Sequence, residues 1–404
     1  MITEVRNPPA PDVIVLGLGA IGSAATFQLS ERKAGVLAID QFAPPHQFGS
    51  SHGETRITRI ACGEGLEYTA FARRSHEIWR QLEARTGAEL LTQNGLAVIS
   101  GAGPRAIAHG NPDFLATTVQ AARDAGIDYQ TMSGSEFRAN HPAFNVGDDD
   151  TVYLDTTGGF VRPERCIETQ LALAKANGAE IHTGEKVLHF QQAGDLVTVT
   201  TDRATYKTPQ LIVTAGPWLP QLLEPAPDTP PFRVLRQVLY WFRVREQALR
   251  QHQPEQFPVF VWQVPAPEMI YGFPALGTAD DGLKIATEQY LETTTPQTVD
   301  RTVSASEIRG MYDTYVRPFF PGLEGDCVRS AVCLYTCLPD ARFIIDRHPA
   351  MNRVIVASPC SGHGFKHSAA IGEVLAQMVA GEPHLDISKF GFSAGWAGPR
   401  PMLR

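Results

Sequence analysis

The run from Asp12 to Asp40 constrains this chain more than any other stretch. Val13-Ile14-Val15-Leu16 is a short apolar, β-branched run, as a strand buried on both faces requires. Gly17-Leu18-Gly19-Ala20-Ile21-Gly22 follows, residues 23–29 begin a helical pattern, and Val36-Leu37-Ala38-Ile39 is a second apolar strand that ends at Asp40. Gly17 permits a tight turn, Gly19 lets backbone approach a pyrophosphate, and Gly22 lets the helix lie close to the strand. The helix start, with Ile21 in the motif, offers unpaired N–H groups and a positive dipole end to phosphate. Asp40, 18 residues after Gly22, can accept hydrogen bonds from an adenosine ribose. A glycine pattern alone is a weak signal, but strand, turn, helix, strand and terminal acid in this order predict a dinucleotide-binding βαβ unit.

The 404 residues suffice for two or three domains and a sizeable core. A net charge of −8 gives no electrostatic reason to expect nucleic acid. No apolar run reaches membrane-spanning length, so no membrane partner is expected. Asn7-Pro8-Pro9-Ala10-Pro11 replaces the basic and apolar regions of a secretory leader, and Pro401-Met402-Leu403-Arg404 matches neither a peroxisomal nor a prenylation signal. Six cysteines without a CxxC pair are too sparse for a disulfide scaffold and lack zinc-site spacing, so a reducing cytoplasm and no metal are expected.

Along the chain, residues 44–53 form a turn-rich segment that runs into alternating basic and apolar residues at 54–59. The periodicity predicts helices over 68–84, 114–125, 162–177, 306–316 and 365–379, and a capping box at Ser133 and Glu136. Strands are expected at 96–99, 151–154, 179–182, 186–190, 196–201 and 211–214, with Gly158, Gly159 and Phe160 read as punctuation. Further strands are expected at 238–244, 259–264, 269–273, 332–335, 343–346 and 354–357. The fold class is α/β, α+β overall: a Rossmann-like dinucleotide domain of residues 1–90, 151–225 and 326–404, interleaved with a sheet-rich substrate domain of residues 91–150 and 226–325.

With these segments laid out, the chain resembles the monomeric sarcosine oxidase and N-methyltryptophan oxidase family, within the D-amino-acid-oxidase-like flavoproteins. The resemblance runs over nearly the whole chain and is carried by Gly49-Ser50-Ser51-His52-Gly53-Glu54-Thr55-Arg56, Cys333-Leu334-Tyr335-Thr336, Phe343-Ile344-Ile345-Asp346 and Ser361-Gly362-His363-Gly364-Phe365-Lys366. It implies FAD, a point the glycine motif leaves open, and thioether attachment of the flavin to Cys333. It implies that Lys284 promotes reaction with oxygen, as a fixed cation in a poorly hydrated site would. It places Arg59 and Lys366 on the substrate carboxylate. Ser50, His52, Thr55 and Arg56 fall around the flavin, and Tyr271 and Tyr335 line the amine site. Gly362, His363 and Gly364 join a glycine turn to a helix start able to face the flavin carbonyl.

One position departs from the family. Its usual histidine four residues after the lysine is Glu288 here, which either faces solvent or lines the pocket. In the pocket, a carboxylate would favour a substrate with extra positive charge. The implied reaction is oxidation of a secondary, N-methyl amino acid with molecular oxygen, giving an imine, then formaldehyde and a primary amine, and hydrogen peroxide. The family implies a monomer. Open alternatives are a cyclic imino acid of the pipecolate or proline type, a dehydrogenase using another acceptor, and a non-catalytic flavoprotein subunit.

Overall fold

The structure, a computed structural model, describes residues 10–101, 108–109, 111–223, 231–265, 268–381 and 384–393. The expectations attached to residues 7–9 and 401–404 and to the boundary at 225–226 lie outside the described residues. Val13–Leu16 (β1), Ala20–Glu31 (α1) and Val36–Asp40 (β2) form the βαβ unit. β1 lies between β2 and the strand Gln210–Val213, parallel to both. The sheet has six strands, in the order Ile344–His348, Met351–Ser358, Gln210–Val213, β1, β2, Glu180–Thr183. Only the edge strand Ile344–His348 runs antiparallel to its neighbour.

Every residue of β1 and β2 is buried, as expected of parallel strands covered on both faces. Helix α1 is buried from Gly22 to Ser30 because the helix Ser368–Ala380 packs against it. Its polar side chains turn back on their own helix: Thr26 Oγ1 donates to the Gly22 carbonyl at 2.7 Å and Ser30 Oγ to that of Phe27 at 2.7 Å. Gly372 makes the helix contact possible, since a Cβ there would lie 2.5 Å from the Ala24 carbonyl carbon. Gly22 is tighter still. A Cβ on it would overlap the Gly17 carbonyl and lie 2.6 Å from Thr214 Oγ1. Gly22→Ala is therefore expected to cost about 1–3 kcal/mol or more, read as a lowered thermal midpoint together with a loss of bound flavin.

The second layer is a nine-stranded mixed sheet. Its strand Arg233–Val244 pairs on one side with Leu283–Thr287 and on the other with the 15-residue strand Leu323–Cys337. Two expected boundaries move. Thr151–Asp155 pairs with Leu96–Ser100 and Tyr129–Ser133, so residues 151–155 belong to this sheet and not to the nucleotide unit. The boundary at 326 cuts through the Leu323–Cys337 strand, which pairs with Arg233–Val244 on both sides of it, with a register shift between Cys327 and Leu323. Gly159 and Phe160, expected as punctuation, lie in the strand Gly159–Val161, which pairs with Arg56–Thr58. No helix among the described residues is long and apolar enough to cross a membrane.

Candidate active site

The ends of β1 and β2 open onto a cavity of about 360 Å³. Gly17, Gly19, Ile21, Asp40, Ser50 and Arg56 line it, together with Tyr335, Gly362, Gly364 and Phe365. Three features show that the residues present fit an FAD. The N-cap of α1 has no side chain, and apart from the Ala20 N–H, which donates to Ser51 Oγ at 3.4 Å, the first-turn N–H groups are available to phosphate. A Cβ on Gly19 would meet nothing nearer than Ser51 Oγ at 3.8 Å, so this backbone faces open space. His52 is buried and its Nε2 finds no hydrogen-bond partner among the described residues. Burial, then the nearby Arg56, push the His52 imidazole down to about 3, so it is neutral at pH 7. Asp40 is partly committed: its carboxylate accepts the Leu18 N–H at 2.7 Å and the Phe42 N–H at 2.8 Å, which fixes the phosphate turn.

One face of the mixed sheet carries much of the rest. Side chains alternate between faces, and the register sets Trp241 opposite Lys284, Leu239 opposite Ala286, Gln237 opposite Cys333, and Leu235 opposite Tyr335. Tyr271, opposite Ala286 on the next strand, joins that face. Lys284 Nζ donates to the carbonyls of Gly53 at 2.8 Å and Thr55 at 2.7 Å, and sits 3.9 Å from the Phe273 ring centroid. Two carbonyls and a π face are partners for an ammonium. Burial, then Arg56, nevertheless push its pKa well below the usual lysine value. Arg56 spans the same loop, donating to the Thr55 carbonyl at 2.8 Å and the Ser50 carbonyl at 2.7 Å. Ser50 in turn donates to the Leu334 carbonyl, next to Cys333. Cys333 is 1% exposed, and burial raises its thiol while Arg56 and Lys284 oppose that rise.

Arg59 and Lys366 come together, but on an acid that the sequence reading missed. Arg59 Nη2 and Lys366 Nζ both bind Glu64 Oε1, at 2.6 and 2.8 Å, and all three side chains are buried. Burial opposes the Glu64 charge, yet Arg59 and Lys366 hold its carboxyl well below the usual range. Its other oxygen, Oε2, and Arg59 Nε have no partner among the described residues. Two cationic side chains on one carboxylate give this buried cluster an excess of positive groups, although burial lowers the Lys366 pKa while Glu64 opposes that fall. His363 does not face the cavity as expected. Its ring stacks on Phe343 at 4.6 Å, its Nε2 bonds the Ala341 carbonyl at 3.1 Å, and its Nδ1 lies 3.9 Å from Glu64 Oε1. Gly362 and Gly364, on either side of it, do line the cavity.

Glu288 is buried, which settles the choice between solvent and interior. Its Oε1 accepts from the Tyr335 hydroxyl at 3.2 Å, its Oε2 from Tyr290 at 2.9 Å, and His109 Nδ1 lies 3.2 Å from Oε2. Burial pushes its carboxyl up to about 8, against the two tyrosine hydrogen bonds. At pH 7 it is mostly neutral and offers no standing charge to a dibasic substrate. Tyr271 and Tyr335 meet at 3.5 Å between hydroxyls. Glu64 gave one faint signal, as a lone acid in a run of small residues five positions after Arg59. His109, from a Gly-, Ala- and Pro-rich stretch, gave none.

The pattern of the family described as FAD dependent oxidoreductase (DAO) matches residues 12–378. The monomeric sarcosine oxidase of Streptomyces avermitilis is 37% identical over 374 residues, covering 92% of this chain and 94% of that protein. The N-methyl-L-tryptophan oxidase of Yersinia pestis (strain Pestoides F) is 34% identical over 388 residues, 95% and 98% of the two chains. Among solved structures, NikD, an unusual amino acid oxidase essential for nikkomycin biosynthesis, superposes with a TM-score of 0.79 at 21% identity, over 94% of this chain and 97% of that one. That last likeness speaks to the fold alone.

Proposed function

The chain belongs to the FAD dependent oxidoreductase family, and from that premise we propose that it is an oxidase of a secondary, N-methylated amino acid, with molecular oxygen as the acceptor. The observation that carries this reading is the buried Arg59–Glu64–Lys366 cluster with its excess of positive groups, which suits a substrate carboxylate. The likeness to the sarcosine and N-methyl-L-tryptophan oxidases supports the N-methyl amine class. Bound FAD supplies the acceptor for a hydride equivalent from the N-alkyl carbon.

The chain's own residues would do the following. Arg59 and Lys366 take the carboxylate, and Tyr271 and Tyr335 flank the amine. Gly17, Gly19, Gly22, Ile21 and Asp40 hold the dinucleotide end. Ser50, His52, Thr55, Arg56, Gly362 and Gly364 surround the flavin, and Cys333 is the point of covalent attachment. Lys284 presents its ammonium where oxygen is reduced. The imine then hydrolyses to formaldehyde and the primary amine, with one hydrogen peroxide per turnover. Six free thiols suit a reducing cytoplasm, and the curated relatives' name supports a monomer.

The deciding experiment is anaerobic bleaching of the yellow protein by sarcosine, bulkier N-methyl amino acids and cyclic imino acids. Bleaching by an N-methyl amino acid, with peroxide formed on readmitting air, is the expected result. Bleaching by proline or pipecolate alone would move the substrate class, and bleaching by dithionite only would end the oxidase reading. For the flavin link, acid precipitation of wild type is expected to leave yellow colour in the pellet, and Cys333→Ser to release it to the supernatant.

A further inference from the structure

Glu288 is a buried group that the roles assigned so far leave without a task. It lies at the end of the lysine strand, behind Tyr335, in a row of polar side chains: Glu64, His109, Glu288, Tyr335, Tyr271. The links are 3.7 Å from Glu64 Oε1 to His109 Nε2, 3.2 Å from His109 Nδ1 to Glu288 Oε2, 3.2 Å from Tyr335 to Glu288 Oε1, and 3.5 Å between the tyrosine hydroxyls. The row therefore runs from the carboxylate-binding cluster to the two hydroxyls beside the amine. Tyr335 lines the cavity and Glu288 does not, so the hydroxyl is the carboxyl's contact with it.

An amino acid in water carries its amine as an ammonium, yet hydride loss from the N-alkyl carbon needs the nitrogen lone pair. Something must take that proton. We propose that Glu288 is the acceptor, reached through the Tyr335 hydroxyl. This rests on the amine-oxidase reading above. An ammonium N–H bond breaks and its proton goes to the Tyr335 oxygen, while the Tyr335 hydroxyl proton moves to Glu288 Oε1. The nitrogen keeps the electron pair, the carboxylate becomes the acid, and nothing is oxidised or reduced. Burial supplies the drive, because the transfer removes a carboxylate charge from a dry site. His109 and Tyr290, on Oε2, hold the carboxyl in place during the transfer. The other ionisable groups facing Glu288 are Glu64 and Arg59 beyond His109, Cys337 on the Tyr335 strand, and Tyr271.

The test is the second-order rate constant for anaerobic bleaching as a function of pH. In wild type it should rise until Glu288 is ionised, near pH 8, and then level off. Glu288→Gln cannot take a proton, so only neutral amine would react. Its profile should keep climbing toward the amine's own value, ~10.4 if the lysine ammonium is the guide. The variant should then be about 100-fold slower than wild type at pH 7, from a separation of roughly two units, and nearly equal near pH 10. Glu288→His restores a group that takes a proton and should bring the break back down. Binding of a thioether acid, with sulfur in place of nitrogen, read as a shift of the flavin band, should be unchanged. It reports a folded site and an intact carboxylate cluster.

A uniform drop at every pH in Glu288→Gln, or a break at the wild-type pH, overturns the proposal and leaves amine oxidation standing. Should Glu288→Gln lose thioether-acid binding, Tyr335→Phe cuts the relay at its middle. The same shift is then expected, and an unshifted profile overturns the proposal. A wild type that no secondary amino acid bleaches overturns both readings.

Discussion

Arg59→Ala is expected to weaken binding of amino-acid substrates by about 2–5 kcal/mol, roughly 30-fold to several thousand-fold in the concentration that half-saturates bleaching. The size follows from burial. Arg59 and Lys366 share one carboxylate oxygen of Glu64, and all three side chains are closed off from solvent. With Arg59 gone, Lys366 and Glu64 neutralise each other and the excess of positive groups disappears. The substrate carboxylate would then enter a neutral, dry cluster and pay its full desolvation. Arg59→Lys should recover part of the loss, since charge returns but the planar fork does not. The limiting bleaching rate at saturation should change far less than the half-saturating concentration. Equal falls in both would remove Arg59 from carboxylate binding.

Lys284→Met carries the second large effect, and it falls on the other half-reaction. Reoxidation by oxygen is expected to slow about 10²–10³-fold, the usual cost of deleting a preorganised charge at a site of developing anion. Anaerobic bleaching should persist. The check is a stopped-flow comparison of the two steps, with an artificial acceptor alongside oxygen. If oxygen and the artificial acceptor slow together, the lysine is not acting on oxygen, and the dehydrogenase alternative gains. A stability change should accompany the substitution. Lys284 donates to the Gly53 and Thr55 carbonyls, which keep the Thr55 N–H and Arg56 as donors without it, so the loss is that of charge-assisted hydrogen bonds, about 1.5–3 kcal/mol. Thermal melting of both proteins separates that loss from the kinetic one.

Lys284 also shows why some of the site was hidden from the sequence. The strand Leu283–Thr287 was not expected, because Leu283-Lys284-Ile285-Ala286-Thr287 puts a charge where a buried strand should be apolar. The charge is tolerated because the loop around Gly53 brings two carbonyls to it and the Phe273 ring lies against it. The same holds for Glu288, whose sequence context permits solvent as readily as interior. Tyr290 is two residues away, but His109 and Tyr335 come from distant segments to meet it, and no local pattern encodes that meeting.

What the sequence by itself determined is the local part. Unbroken apolar runs define β1 and β2, glycines stand where a Cβ would collide with backbone, and the capping box at Ser133 and Glu136 sets a helix start. These features depend on residues a few positions apart, so short-range sterics and hydrogen bonding decide them. What only the tertiary structure decided is every long-range encounter. Thr151–Asp155 joined the mixed sheet because its partners Leu96–Ser100 and Tyr129–Ser133 lie there. His363 turned toward Glu64, and Glu64 itself emerged as the hub of the cationic pair. Charge and protonation in a buried site are set by desolvation and by whichever groups the fold brings within a few ångströms, and neither is a property of the local sequence.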